Sequence, residues 1–269
     1  MNSIINSFFA KIIKSMEDRA DEFEYNILVC TTDNRREKIL KYLELVKTKA
    51  ADGAVLLGIE TDEEVIGKIN EMSNYVSMVQ CSEYHEKLNI PVVVIDNFNA
   101  MKSATEYMIN KGRKNILHIS CDNDTASTKE RFKGYCSALA ENNIKYRPEL
   151  VIRSNYGYRS TLKLMADFLK KGIHIDAIVS NNDRMAAAAV NILMQNGYKI
   201  PEDIMVMGFD NSTTCYMMNP TLSSIAQPQA ELGRLAFDKV YSMIKNEPFE
   251  EKTVLGYEIK HKQTTNYGK

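Results

Sequence analysis

Short runs of apolar residues, almost free of polar interruption, punctuate this chain: YNILVC at 25–30, GAVLLGI at 53–59, VVVID at 92–96, NILHIS at 115–120, DAIVS at 176–180 and IMVMGF at 204–209. A strand that is apolar on both faces has to be covered on both, which is the situation of parallel strands layered between helices. The intervals supply the helices. Phe8, Phe9, Ile12, Ile13, Met16 and Ala20 recur at helical spacing, the stripe of an amphipathic helix. Further helices are predicted at 35–49, 63–72, 100–111, 128–141, 159–171, 184–196 and 231–244, with Gly112, Gly172 and Gly197 placed as stops. Additional strands are predicted near 75–80, 150–153 and 253–259. So many strands exceed one small sheet. The pattern predicts an α/β fold of two similar doubly wound parallel-sheet lobes with a ligand cleft between them.

Composition narrows the function classes. With 269 residues, 44% of them hydrophobic, the chain can bury a sizeable core. Lys+Arg 34 against Asp+Glu 35 leaves a net charge of -1, so no overall field draws in phosphate backbones or anionic lipid, and the chain alone is not expected to grip DNA. Cys30, Cys81, Cys121, Cys136 and Cys215 are odd in number and form no CxxC pair. That favours reduced cytosolic thiols over a disulfide framework or a zinc ribbon. No apolar run approaches a bilayer span and the start lacks the pattern of an export signal, so a cytoplasmic location without a membrane partner is expected.

In open parallel sheets ligands bind outside the carboxyl ends of the strands. The polar residues that follow the apolar runs are Asp96, Ser120, Asn181, Asn182, Asp183, Asp210, Asn211 and, after 223–226, Gln227. Carboxylates and amides converging in one place pair with hydroxyl groups, and Arg131 can add a donor fork, so a polyol, sugar or nucleoside suits the set better than a phosphate. Asp and Asn after strands also serve as helix N-caps, and for Asp183 both roles stand open. Phe8 and Phe9 point about 100° apart on a helix, so one can face a ring ligand while the other enters the core, although on spacing alone core packing of both is the better reading, since such stripes mostly mean packing. Met205, Met207, Met217 and Met218 read as gap-fillers or interface residues.

Catalytic signatures are absent: there is no GxSxG, HExxH or glycine-rich dinucleotide fingerprint. The stretch from Gly58 to Gly67-Lys68 resembles a phosphate loop only superficially, being too long between glycines and acidic at Glu60, Asp62, Glu63 and Glu64. His85, His118, His174 and His261 have no ligand-spaced neighbours, and His118, within a strand, reads as core. Neither a metal nor a cofactor is expected, and no enzyme.

Taken together, several segments resemble the effector-binding region of the lactose-repressor (LacI/GalR) family, whose fold is the periplasmic-binding-protein-like type I. They are Asn6-Ser7-Phe8-Phe9, YNILVCTTDN at 25–34, Asp52-Gly53-Ala54-Val55, IPVVVIDN ending at Asn97, Ser127-Thr128-Lys129-Glu130-Arg131 with Gly134-Tyr135, SNNDRMAAAAV at 180–190, IPEDI at 200–204 leading to Gly208-Phe209-Asp210-Asn211, and PTLSSIAQ at 220–227 with Glu231-Leu232-Gly233. Their order and spacing over most of the chain carry the resemblance.

The resemblance implies an effector held between lobes by Asp96, Arg131, Asn182, Asp210 and Gln227, with Phe8 or Phe9 against one face. It implies lobes of residues 1–96 plus 229–256 and 97–228 plus 257–269, with three crossings near 95–98, 227–229 and 256–257. It implies a homodimer, for which the helix 184–193 and the loop 215–218 are candidate surfaces, and operator DNA bound only through an N-terminal head absent from this sequence. The sequence is also expected to begin after most of the family's first strand, which would leave two unpaired edges. QCSEY at 80–84 and IAQP resemble the branch containing the cytidine repressor, which makes a nucleoside worth testing beside pentoses and hexoses. A solute receptor of an uptake system is the alternative within the same fold, and an enzyme of sugar or nucleotide metabolism a further one.

Overall fold

The computed structural model describes residues 7–58, 62–123 and 125–266. Asn6 of the first resembling segment, Ile59 at the end of one predicted strand and Glu60 lie outside them. The chain divides into two compact units, one of the described residues up to Ile95 with Pro228–Gly256, the other of Asp96–Gln227 with the residues from Tyr257 onward.

The first unit opens with helix α1 (Ser7–Asp21), which buries Phe8, Ile12, Met16 and Ala20, one side of the predicted stripe. Then come α2 (Arg36–Lys47), β1 (Gly53–Leu57), α3 (Glu63–Met72), β2 (Ser77–Cys81) and β3 (Val92–Ile95). The four-stranded sheet runs β1-β2-β3-β9, all parallel, where β9 (Lys252–Leu255) arrives after helix α9 (Gln229–Lys245). A core of Ile39, Leu43, Val65, Ile69 and Met78 joins α2 and α3 to the sheet. On α9, Gly233 permits a close crossing, since an added Cβ would stand well inside 3.0 Å of the Ile12 carbonyl oxygen of α1.

One predicted strand is not formed. Residues 25–30 are extended chain without a ladder partner, and Leu28 is 70% exposed. The apolar composition was real, but a strand is completed only by a neighbour on its hydrogen-bonding edge, and none of the described strands lies against it.

The second unit contains α4 (Asn97–Asn110), β4 (Ile116–Cys121), α5 (Ala126–Glu141), β5 (Val151–Ser154), α6 (Tyr158–Leu169), β6 (Ala177–Ser180), α7 (Asp183–Gln195), β7 (Met205–Asp210), the short α8 (Thr214–Met217), β8 (Ser223–Ala226) and β10 (Glu258–Lys260). Its sheet has the order β10-β8-β7-β6-β4-β5, parallel except for β10, which pairs antiparallel with β8. The single strand predicted at 253–259 is thus two strands, β9 and β10, in different sheets, with Gly256 and Tyr257 between them. The core packs α6 and α7 on this sheet through Met165, Phe168, Met185, Ala186, Ala189 and Leu193.

Candidate functional site

Because β4, β5, β6, β7 and β8 run parallel, their carboxyl ends share one edge of the second unit's sheet. Asn181 and Asn182 follow β6, Asp210 ends β7 and Gln227 follows β8, so the topology gathers residues distant in sequence. Gln227 Nε2 donates to Asp210 Oδ1 at 2.8 Å. The Gln227 side-chain oxygen Oε1 is buried and has no hydrogen-bond partner among the described residues. Asp210 has φ 107° and Asn211 φ 50°, backbone that side chains seldom adopt. The strained turn is tied down: Asn211 N–H donates to Ser224 Oγ at 2.9 Å and Lys262 Nζ to Asn211 Oδ1 at 2.8 Å.

Arg131 reaches the same edge from α5. Its guanidinium carbon stands 3.6 Å from the centre of the Phe209 ring, Nε donates to Asn97 Oδ1 at 2.9 Å, and Nη1 donates to the Asn181 carbonyl at 2.7 Å. Those contacts occupy two of its three nitrogens, leaving Nη2 as the donor without a protein partner among the described residues. Among the described residues the fully buried Asn181 side chain has no partner at either Nδ2 or Oδ1, and neighbouring Ser120 Oγ has none. Buried polar atoms are normally satisfied, so this cluster at the strand ends has hydrogen-bonding capacity that the described residues leave unused.

Two candidate residues carry structural duties as well. Asp96 is the N-cap of α4, accepting from Asn99 N–H at 2.9 Å and from Asn99 Nδ2 at 2.6 Å. Asn182 caps α7, its Oδ1 accepting from Met185 N–H at 2.8 Å. The cap role left open for Asp183 is thereby taken by Asn182. Asp183 is the first residue of α7, buried, with its carboxylate accepting from Ser212 N–H and Ser224 Oγ, each at 2.6 Å. Burial pushes this carboxyl above the ordinary carboxylate range, against the pull of those hydrogen bonds.

Phe8 and Phe9 belong to the first unit, their rings meeting edge-on at 5.2 Å between centroids. Phe8 is buried and Phe9 partly open. Sequence reasoning gave no role to Asn97, which holds Arg131, nor to Asn123, which accepts from Thr128 Oγ1 at 2.9 Å and from Tyr156 OH at 3.3 Å beside the ends of β4 and β5. Asn97 stands next to Asp96 and drew less notice because a carboxylate is the more conspicuous ligand group. Among the described residues no cluster of His, Cys, Asp or Glu could hold a metal ion, and no helix is long and apolar enough to cross a membrane.

Two parallel-sheet α/β units carrying a polar strand-end site define a class of small-molecule-binding proteins. Within it, the family described as "Periplasmic binding proteins and sugar binding domain of LacI family" matches residues 2–265, and the chain belongs to that family. It is similar to the HTH-type transcriptional regulator RegA of Clostridium saccharobutylicum, 28% identical over 264 residues that cover 97% of this chain and 79% of RegA. It is 32% identical to the HTH-type transcriptional repressor CytR of Escherichia coli over 87% of this chain and 68% of CytR. The crystal structure of the transcription regulator CcpA of Lactococcus lactis superposes with a TM-score of 0.91 at 30% identity, covering 99% of this chain and 97% of that one. A CelR–cellobiose complex shares the fold, with a TM-score of 0.89 at 24% identity over 96% of this chain and 79% of that one. The chain is a LacI-family effector-binding domain.

Proposed function

We propose that this domain binds a small polyhydroxylated effector, a sugar or a nucleoside, at the strand ends of the second unit, and that binding changes the operator affinity of the regulator it serves. The observation that carries the reading is the Gln227–Asp210 pair with its unpartnered, buried Gln227 Oε1, set in the same strand-end edge as Arg131. Carboxylate oxygens accept from hydroxyls, the guanidinium donates to them, and an amide does both, so one ring bearing adjacent hydroxyls satisfies the set. Asp96 and Asn182 join it through whatever bonding capacity their caps leave, and the family resemblance adds Phe8 or Phe9 as an aromatic surface.

Regulation follows from linkage. A ligand that binds two arrangements of the protein unequally shifts their populations, with coupling on the order of 1–3 kcal/mol, and DNA reciprocally changes ligand affinity. Regulators in the family's comparisons favour this reading over a solute receptor. We further propose a homodimer. The helix 184–193 contributes little to its surface, because Met185 through Val190 are buried within the chain itself, whereas Tyr216 is 60% and Met217 82% exposed. Sedimentation at several concentrations tests the dimer.

The site is tested by calorimetric titration of pentoses, hexoses, cellobiose and nucleosides against the wild type, Asp210→Asn and Arg131→Ala, each variant checked for folding by circular dichroism. At least one compound is expected to bind the wild type and neither folded variant. Binding retained in both variants refutes the site. Binding of no sugar or nucleoside refutes the ligand class.

A further inference from the structure

Three candidate ligand groups stand at the ends of three neighbouring strands: Asn182 follows β6, Asp210 ends β7 and Gln227 follows β8. A single buried carboxylate ties those ends together. Asp183, at the junction of β6 and α7, accepts at Oδ2 from the N–H of Ser212, in the turn after β7, at 2.6 Å. Its Oδ1 accepts from Ser224 Oγ of β8, also at 2.6 Å. Ser224 Oγ in turn accepts from the Asn211 N–H at 2.9 Å. Two successive backbone N–H groups of one turn are thus held by one carboxylate, that of Ser212 directly and that of Asn211 through a hydroxyl.

The surrounding residues are fitted to this carboxylate. Gly208 of β7 leaves room for it, since a Cβ there would collide with Asp183 Oδ1 and lie 3.2 Å from the Asp183 Cα. The Cys215 thiol of α8 lies within hydrogen-bonding reach of it, and the Cys215 N–H donates to the Ser212 carbonyl at 3.1 Å, closing the turn. Burying a carboxylate is unfavourable unless it is hydrogen-bonded, and here the bonds lead to the segment that most needs restraint. Asp210 at φ 107° and Asn211 at φ 50° occupy backbone regions that persist only where the surroundings hold them. The same Asp210 presents Oδ1 to Gln227 Nε2 at 2.8 Å. A turn set free would relax at Asp210 and swing its carboxylate off that bearing.

We propose that Asp183 is a positioning residue of the strand-end site: from its buried place it fixes the turn 210–212, and with it the direction in which Asp210 presents its carboxylate. The consequence for effector affinity rests on the function proposed above; the consequence for the turn does not.

The test uses three variants of the full chain. Asp183→Ala removes both acceptors. Asp183→Asn is the conservative variant, since its Oδ1 can accept from the Ser212 N–H while Nδ2 donates to Ser224 Oγ. Ser224→Ala removes only the link to Asn211 and decides the matter should Asp183→Ala fail to fold. Amide hydrogen exchange at Asn211 and Ser212 is measured relative to the β4 amides of the same protein, so that a general loss of stability cancels. The side-chain amide resonances of Gln227 report its bond to Asp210. Asp183→Ala is expected to quicken relative exchange at both turn amides at least about tenfold and to shift the Gln227 resonances, whereas Asp183→Asn stays within about threefold of wild type. Ser224→Ala is expected to quicken Asn211 alone. Wild-type relative exchange in Asp183→Ala, or at Asn211 in Ser224→Ala, overturns the proposal. Calorimetric titration with ribose, glucose, cellobiose and cytidine gives the second readout: a compound that binds the wild type is expected to bind Asp183→Ala at least about tenfold more weakly and Asp183→Asn nearly as well. Wild-type affinity in an alanine variant whose turn has loosened also overturns the proposal. Binding of none of the four by the wild type tells against the effector reading instead, and the exchange pattern still decides whether Asp183 holds the turn.

Discussion

The guanidinium carbon of Arg131 stands 3.6 Å from the centre of the Phe209 ring, and Phe209 immediately precedes Asp210, so the strand that presents the carboxylate also holds the cation. Two further hydrogen bonds, to Asn97 and to the Asn181 carbonyl, fix a side chain that would otherwise lose much rotamer freedom on binding. Arg131→Lys keeps the charge and removes the planar fork. It is expected to weaken effector binding at least tenfold while costing about 1–2 kcal/mol of stability, from the lost stacking and hydrogen bonding. Titration of the bound compound and urea unfolding of the two proteins separate these effects. Wild-type affinity in the lysine variant would make the arginine purely structural.

Both units use one glycine to bring two helices together. On α5, a Cβ at Gly134 would collide with the Phe98 carbonyl oxygen of α4, and at Gly233 on α9 with that of Ile12 on α1. Helix propensity alone predicts that alanine stabilises each position by about 1 kcal/mol. The collision predicts the opposite, since backbone cannot step aside as a flexible side chain does. Gly134→Ala and Gly233→Ala are each expected to lower stability by about 1–3 kcal/mol, read from urea midpoints at unchanged m. A gain in either would mean that the helices separate freely.

His118 makes stability depend on pH. Burial within β4, with the positive charges of Arg153 and Arg131 adding to it, pushes the imidazole down to about 3, and its ring stacks on Tyr135 at 4.9 Å. The unfolded chain takes up this proton near the ordinary 6.5, whereas the folded one refuses it. The contribution to stability is therefore complete above 6.5 and is lost as pH falls toward 3. Between pH 7.5 and 5 the loss from this group is about 2 kcal/mol. Urea unfolding of wild type and His118→Phe at both values should show a smaller acid loss in the variant; equal losses would exclude His118 as their source.

The sequence made the architecture readable because burial on both faces writes itself as uninterrupted apolar runs, and VVVI at β3 and AIVS at β6 are wholly buried. It misread 25–30 because composition reports a strand's faces and says nothing of its edges. It merged β9 with β10 because the passage from one unit to the other at Gly256 leaves the apolar pattern unbroken. At the site, the strand-end rule selected Asp210 and Gln227, which the fold joins at 2.8 Å. It gave no warning that Asp96 and Asn182 also cap helices, because a cap and a ligand group occupy the same place after a strand. Asn97 depends on a contact 34 residues away in sequence, which no local pattern encodes.

The five cysteines should divide by accessibility. Cys81, Cys121 and Cys215 are buried, while Cys30 and Cys136 are partly open. Burial pushes the Cys81 thiol up to about 12 and raises that of Cys215, so neither offers an appreciable thiolate at neutral pH. Cys30 and Cys136 are raised as well, by partial burial, and should react slowly. Brief treatment of the folded protein with iodoacetamide, followed by peptide mass spectrometry, is expected to label Cys30 and Cys136 alone, and treatment in urea to label all five. Rapid labelling of Cys215 in the folded protein would show that the wall formed by α8, against which Asp183 and Ser224 are held, opens readily, and that the strand-end site is less rigid than its hydrogen bonds imply.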